Sequence, residues 1–183
     1  MGNAAHCVVL ALATALLALP GQSGAQPQEI RVTLPLATLA GQARFTSWGF
    51  QVYDASLWVQ PGFTAAAYER HAFALELSYL RDFTNEAIAK RSIDEMRRLP
   101  GSAEAQLMAW LPLLREAFPD ISKGDRIIGI HRPGEGVVFI TNGKTTGAIL
   151  DAEFGRQFFG IWLSVRTSEP RLRGALLGRA APP

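Results

Sequence analysis

The chain has 183 residues, 48% hydrophobic and 19% charged, with a formal net charge of +2, which fits one compact domain and excludes a disordered polymer. The 11 prolines and 17 glycines are dispersed rather than gathered into low-complexity tracts. Basic residues are not massed on one stretch: Arg97-Arg98 and Arg171/Arg173 sit beside acidic or apolar neighbours, so the nucleic-acid-binding class loses support.

Residues Val8 to Leu19 form an unbroken apolar run, followed by Pro20-Gly21 and the small triplet Ser23-Gly24-Ala25. That is the layout of a secretory signal, although no Lys or Arg precedes the run. The run is shorter than the roughly 20 residues a membrane span needs, and no later segment is long enough either. Residues 1–25 are therefore expected to be a signal peptide and residues 26–183 one soluble domain, periplasmic or secreted. The single cysteine, Cys7, lies inside the leader, so disulfides, thiolate nucleophiles and cysteine metal sites are not expected in the mature chain.

In chain order, Glu29 to Leu34 alternates polar and apolar and predicts a first strand ended by Pro35. Gln42 to Val59 is rich in aromatic and β-branched residues and predicts two strands parted at Gly49. Pro61-Gly62 marks a turn, and Ala72 to Leu80 alternates again as a strand. Thr84 is placed to cap a helix with Ile88, Ser92, Ile93, Met96 and Leu99 on one stripe, closed by Pro100-Gly101. Ser102 is read as opening a second helix that Pro112 kinks or restarts. Two short strands, DRIIGIH and GVVFIT, flank the turn residues Arg132 to Glu135, and Asn142-Gly143 leads into a strand at Thr145 to Ile149. Asp151 is placed to cap a helix bearing Phe154, Phe158 and Ile161, and Ser168-Glu169-Pro170 starts a last one. Strands and helices do not alternate as βαβα, so the expected class is α+β with an antiparallel sheet.

Beyond the leader only His71 and His131 remain, with no HExxH, no GxSxG, no GxxxxGK[ST] and no GxGxxG. No metal and no cofactor is expected. His131 alternates with apolar Ile128 and Ile130 and reads as a rim or hydrogen-bonded strand histidine. The acidic pairs Asp94-Glu95 and Asp151/Glu153 read as solvated helix faces and caps.

Four ordered segments, LAGQARFTSWGFQVYDASLWV (Leu39 to Val59), LSYLRDFTNEAIAKRSIDEM (Leu77 to Met96), FPDISKGDRIIGI (Phe118 to Ile130) and TTGAILDAEFGRQFFGIWL (Thr145 to Leu163), resemble the chalcone isomerase-like superfamily, most of all its bacterial exported branch. The resemblance implies an open-faced β-sandwich, a curved antiparallel sheet covered by a helix layer. In the plant enzymes a cleft between the layers closes a chalcone to a flavanone, with a sheet arginine, threonines, a tyrosine and an asparagine. In a non-catalytic branch an arginine and a tyrosine hold a fatty-acid carboxylate there.

On that resemblance Arg44 takes the place of the strand arginine, and a guanidinium suits either a carboxylate or a polarised carbonyl. Thr46 matches the catalytic threonine if Phe45-Thr46-x-x-Gly49 is the anchor, and drops out if Val52-Tyr53 is. Strand parity puts Arg44, Thr46, Trp48 and Phe50 on one face, taken as the pocket face. Tyr53, of opposite parity, reaches the pocket only if Gly49 bulges the strand, and Thr146 matches the specificity threonine. The tyrosine and asparagine positions fall near Ala87 and Asp94, so both side chains are missing. Three readings stay open: a binding protein for a fatty acid or similar amphipathic acid, anchored by Arg44; an isomerase acting on an enone or phenolic substrate through Arg44 and Thr46; and a module whose cleft is filled by its own rings.

Overall fold

The computed structural model describes residues 25–178, so the expected leader, but for Ala25, lies outside the described residues. The chain there runs α1 (Gln28–Thr33), β1 (Thr38–Ser47), β2 (Phe50–Val59), a 3-10 turn (Ala65–Arg70), β3 (Phe73–Tyr79), α2 (Asn85–Arg97), α3 (Glu104–Ala117), β4 (Arg126–Arg132), β5 (Gly136–Thr141), β6 (Lys144–Ile149), α4 (Ala152–Leu163) and α5 (Pro170–Leu177). The six strands form one antiparallel sheet in sequential order, β1 to β6, every neighbour joined without a crossover.

The inner face of the sheet carries Leu57, Phe73, Leu75 and Phe139 against α2, α3, α4 and α5, and these side chains form the main core. The outer face carries a smaller cluster of Trp58, Ala74, Ile128, Ile130 and Ile140, which packs against α1. A polar clip ties α1 down beside it: Arg126 donates to Glu29 at 2.7 Å and to Glu76 at 3.3 Å, and Trp58 Nε1 donates to Glu76 at 3.1 Å.

The segment expected to be the first strand is therefore a short helix. Ile30 and Leu34 are buried while Val32 between them is exposed, so the buried spacing is four residues rather than two. The second helix also starts later than expected. Ser102 closes α2 instead, its hydroxyl donating to the Met96 and Leu99 carbonyls at 2.6 and 3.2 Å. α3 then begins at Glu104 and runs through Pro112 as one helix.

The other caps follow the residues. Thr84 accepts the Ala87 N–H at 3.2 Å, and Asp151 accepts those of Glu153 and Phe154 at 2.8 and 3.1 Å. His131 is deep in the core rather than at a rim, 1% exposed and stacked on Phe73 at 4.9 Å. Its Nδ1 lies 2.7 Å from the His71 carbonyl oxygen, which requires the proton on Nδ1. Burial holds this imidazole below its usual pKa, against the opposing pull of that hydrogen bond.

Two features of β1 and β2 position the site. Phe45 pairs with Tyr53 but Thr46 pairs with Gln51, so Val52 is an extra residue in β2, a bulge beside the hairpin tip. The tip itself is a two-residue turn, Trp48-Gly49, with φ of 52° and 80°. At the other end of β1, a side chain on Gly41 would run into the carbonyl oxygens of Ala175 and Leu176, so the glycine lets α5 lie directly on the strand.

Candidate functional site

Between the inner face of the sheet and helices α2, α4 and α5 lies a cavity of about 570 Å³. That is the size of a small-molecule site, and its wall is mostly apolar, with Leu75, Leu77, Phe139, Phe158 and Ile127 among the lining. Trp48, Phe50 and Arg81 border it at the hairpin tip; Trp48 is 96% and Phe50 58% exposed, so a mouth opens there, while Ala87, Arg91 and Ser168 in the lining are exposed on the helix side. The Arg81 guanidinium lies 4.6 Å from the centre of the Phe50 ring, a cation–π contact. Among the described residues Arg81 makes no ion pair with a carboxylate.

A polar group lines another part of the wall. Tyr53 stacks on Phe45 at 5.1 Å and accepts a hydrogen bond from Trp162 Nε1 at 3.0 Å, so its own hydroxyl proton is left to point elsewhere. Burial raises the pKa of Tyr53 and of its neighbour Tyr79 well above the ordinary phenol, so both are neutral donors across the physiological range. Glu95, 7% exposed, accepts from Ser168 at 2.7 Å. Its other oxygen sits 2.7 Å from Arg91 Nη2 without hydrogen-bond geometry, an ionic contact one helical turn away.

Of the four residues on the face expected to form the pocket, Trp48 and Phe50 border the cavity, but Arg44 and Thr46 do not. Arg44 and Thr46 stand on the outer face, exposed, while Phe45 and Ser47 line the cavity. Arg44, 47% exposed, is already committed: Nε and Nη2 donate to the two Asp54 oxygens at 2.6 and 2.8 Å, and Nη1 donates to Gln51 at 3.0 Å. The guanidinium is thus neither indoors nor free. Trp48 and Tyr53 do border the cavity, Trp48 because the turn carries it round to the mouth and Tyr53 because it is the direct cross-strand partner of Phe45. Thr146 is not in the lining; its hydroxyl lies 3.2 Å from that of Thr141. Of the two positions compared with the plant residues, Ala87 lines the cavity, and Asp94 pairs with Arg97 at 2.6 Å outside it.

A family model described as chalcone isomerase-like matches residues 25–178. The chain belongs to this family. Another relative is an uncharacterized protein of Haemophilus influenzae, 30% identical over 142 residues, which cover 76% of this chain and 67% of that one. Among solved structures, a fatty-acid binding protein of Arabidopsis thaliana matches with a TM-score of 0.60 over 79% of this chain and 88% of that one. At 13% identity this likeness shows the chalcone isomerase-like fold alone.

The residues the sequence reading missed are Phe45, Arg81, Arg91, Glu95 and Ser168. One signal was available for Glu95. It lies seven residues after Ile88 and three after Ser92, on the apolar stripe of α2, where a carboxylate is buried only with partners. Asp94 behaves as the solvated helix acid expected, whereas Glu95 does not. Among the described residues no group of three or more His, Cys, Asp or Glu could hold a metal ion, and no helix is long and apolar enough to cross a membrane. Chemically, the arrangement is a greasy chamber with neutral hydroxyl donors on its wall and, where it opens at the hairpin tip, a cation, Arg81, that has no carboxylate partner among the described residues.

Proposed function

We propose that this chalcone isomerase-like chain is an exported binding protein for a small amphipathic acid, a fatty acid or a relative of one. The acyl chain fills the cavity and the carboxylate meets Arg81 at the mouth. One observation carries the reading: a mostly apolar cavity of about 570 Å³ is bordered by a cation with no carboxylate partner among the described residues. The fatty-acid binding activity named for the Arabidopsis neighbour supports the choice of ligand class.

Each buried methylene contributes about 0.8 kcal/mol, so affinity comes chiefly from the chain and rises with its length until the cavity is full. The carboxylate contact, made at an exposed mouth, adds less and mainly fixes orientation. The isomerase reading required Arg44 and Thr46 inside the cavity, and neither lines it. A cleft plugged by its own rings would not leave this volume.

The test is lipid extraction from purified protein followed by titration with saturated fatty acids of increasing length. Arg81→Ala should weaken binding about two- to fivefold while Arg44→Ala changes nothing. No extracted lipid and no saturable binding at any length would overturn the reading. Export is tested separately by sequencing the N-terminus of the secreted or periplasmic protein, expected at Gln26.

A further inference from the structure

The tip of the β1–β2 hairpin is built in an unusual way. A two-residue turn with positive φ at both positions favours asparagine followed by glycine. The same molecule makes that turn in the ordinary way between β5 and β6, where Asn142-Gly143 has φ of 48° and 84°. Between β1 and β2 the first position, with φ of 52°, is occupied by Trp48, a bulky residue that the left-handed region disfavours. Its ring is almost wholly in solvent, so it does not contribute to the core in exchange.

Phe50 is exposed beside it and carries Arg81 over its ring. Asp82, next in sequence to Arg81, accepts the Lys123 backbone N–H at 2.7 Å, and the exposed Lys123 on the adjoining loop offsets its charge, which leaves the Arg81 cation in excess. Two projecting aromatic rings with an arginine over one of them are the composition that settles at a bilayer interface, the rings among the acyl ends and the cation at anionic headgroups. The exposed apolar residues elsewhere, such as Val32 and Val165, are aliphatic rather than aromatic, and scattered over a surface they need no explanation.

We propose that Trp48, Phe50 and Arg81 form a docking surface for an anionic phospholipid bilayer. Because all three also border the cavity, a docked molecule turns its mouth toward the lipid. Docking does not depend on the ligand reading; transfer of an acyl ligand between bilayer and cavity would depend on both.

Lipid-free protein is mixed with sedimentable vesicles of phosphatidylethanolamine and phosphatidylglycerol, and separately of phosphatidylcholine alone. The wild-type chain should pellet with the anionic vesicles, and bromine-labelled acyl chains should quench part of its tryptophan emission. Trp48→Asn, which keeps the turn, should weaken partitioning about tenfold and remove that quenching. Arg81→Ala should abolish the preference for anionic over neutral vesicles. Failure to pellet, equal pelleting of Trp48→Asn, or pelleting without quenching would overturn the proposal; the first of these would leave the tip to a protein partner. Since no fatty acid is present in this assay and no vesicle in the ligand titration, either reading can fail without the other.

Discussion

Replacing Trp48 with asparagine should stabilise the fold. The left-handed conformation costs an ordinary L-residue roughly 1–2 kcal/mol, and asparagine is one of the residues that relieves it. Trp48 sits there at φ 52° and is 96% exposed, so truncating its ring removes almost no buried area. The neighbouring Gly49, with φ 80°, already satisfies the second position of the turn. The net expectation is a gain of about 1 kcal/mol, or about 2–4 °C in Tm for a domain of this size. Urea unfolding followed by circular dichroism, with a calorimetric scan alongside, measures it. A loss of more than about 0.5 kcal/mol would exceed an ordinary surface substitution and refute the reasoning, because it would mean the ring packs against something in solution. A gain in stability together with weaker vesicle binding would show that the turn keeps a costly residue for its surface.

Two further outcomes can be checked on the same apparatus. Burial lowers the folded-state pKa of His131, so below about pH 6.5 the unfolded chain takes up a proton that the folded chain does not; stability falls as pH drops through this window, and the fall should be shallower in His131→Phe. A methyl group on Gly147 would come within 2.6 Å of the Ala117 Cβ and 2.7 Å of its Cα, so Gly147→Ala should lose about 1–3 kcal/mol in urea unfolding by forcing α3 off β6.

The sheet was readable from the sequence because its strands keep a period of two with one face strongly apolar, as in Phe73, Leu75 and Leu77. The same rule misread Glu29 to Leu34, where six residues are too few to separate period two from a single helical turn. It also divided β1 correctly into two faces without saying which one the helices cover. The clue lay at Gly41, which shares parity with Phe45: a glycine inside a strand marks the close approach of another backbone, and here that backbone is α5. Arg44 drew attention as a lone strand arginine, but its cross-strand partner Asp54 neutralises it, and that pairing depends on a register no single strand reveals. Arg81 carried no signal at all, since its place at the mouth is set by a loop closing over Phe50.

Three arginines compete for the role of anion anchor, and what each already touches decides among them. Arg44 is bound to Asp54 on the far face, Arg91 faces the buried Glu95, and Arg81 lies over an aromatic ring with no carboxylate partner among the described residues. Removing Arg91 should therefore act on stability before it acts on binding. Glu95 would keep Ser168 at 2.7 Å, with Arg98 its nearest remaining cation at 3.8 Å, and would otherwise be a buried carboxylate facing an apolar cavity. Because Arg91 is itself more than half exposed, the cost is well short of that for a fully buried pair, about 1–2 kcal/mol. The double variant Arg91→Ala with Glu95→Gln should recover most of that loss, since the stranded charge is gone. Unfolding measurements on the single and double variants, paired with fatty-acid titration, separate the two roles. An Arg91→Ala chain of unchanged stability whose affinity falls tenfold would make Arg91 the anchor and Arg81 a bystander at the mouth.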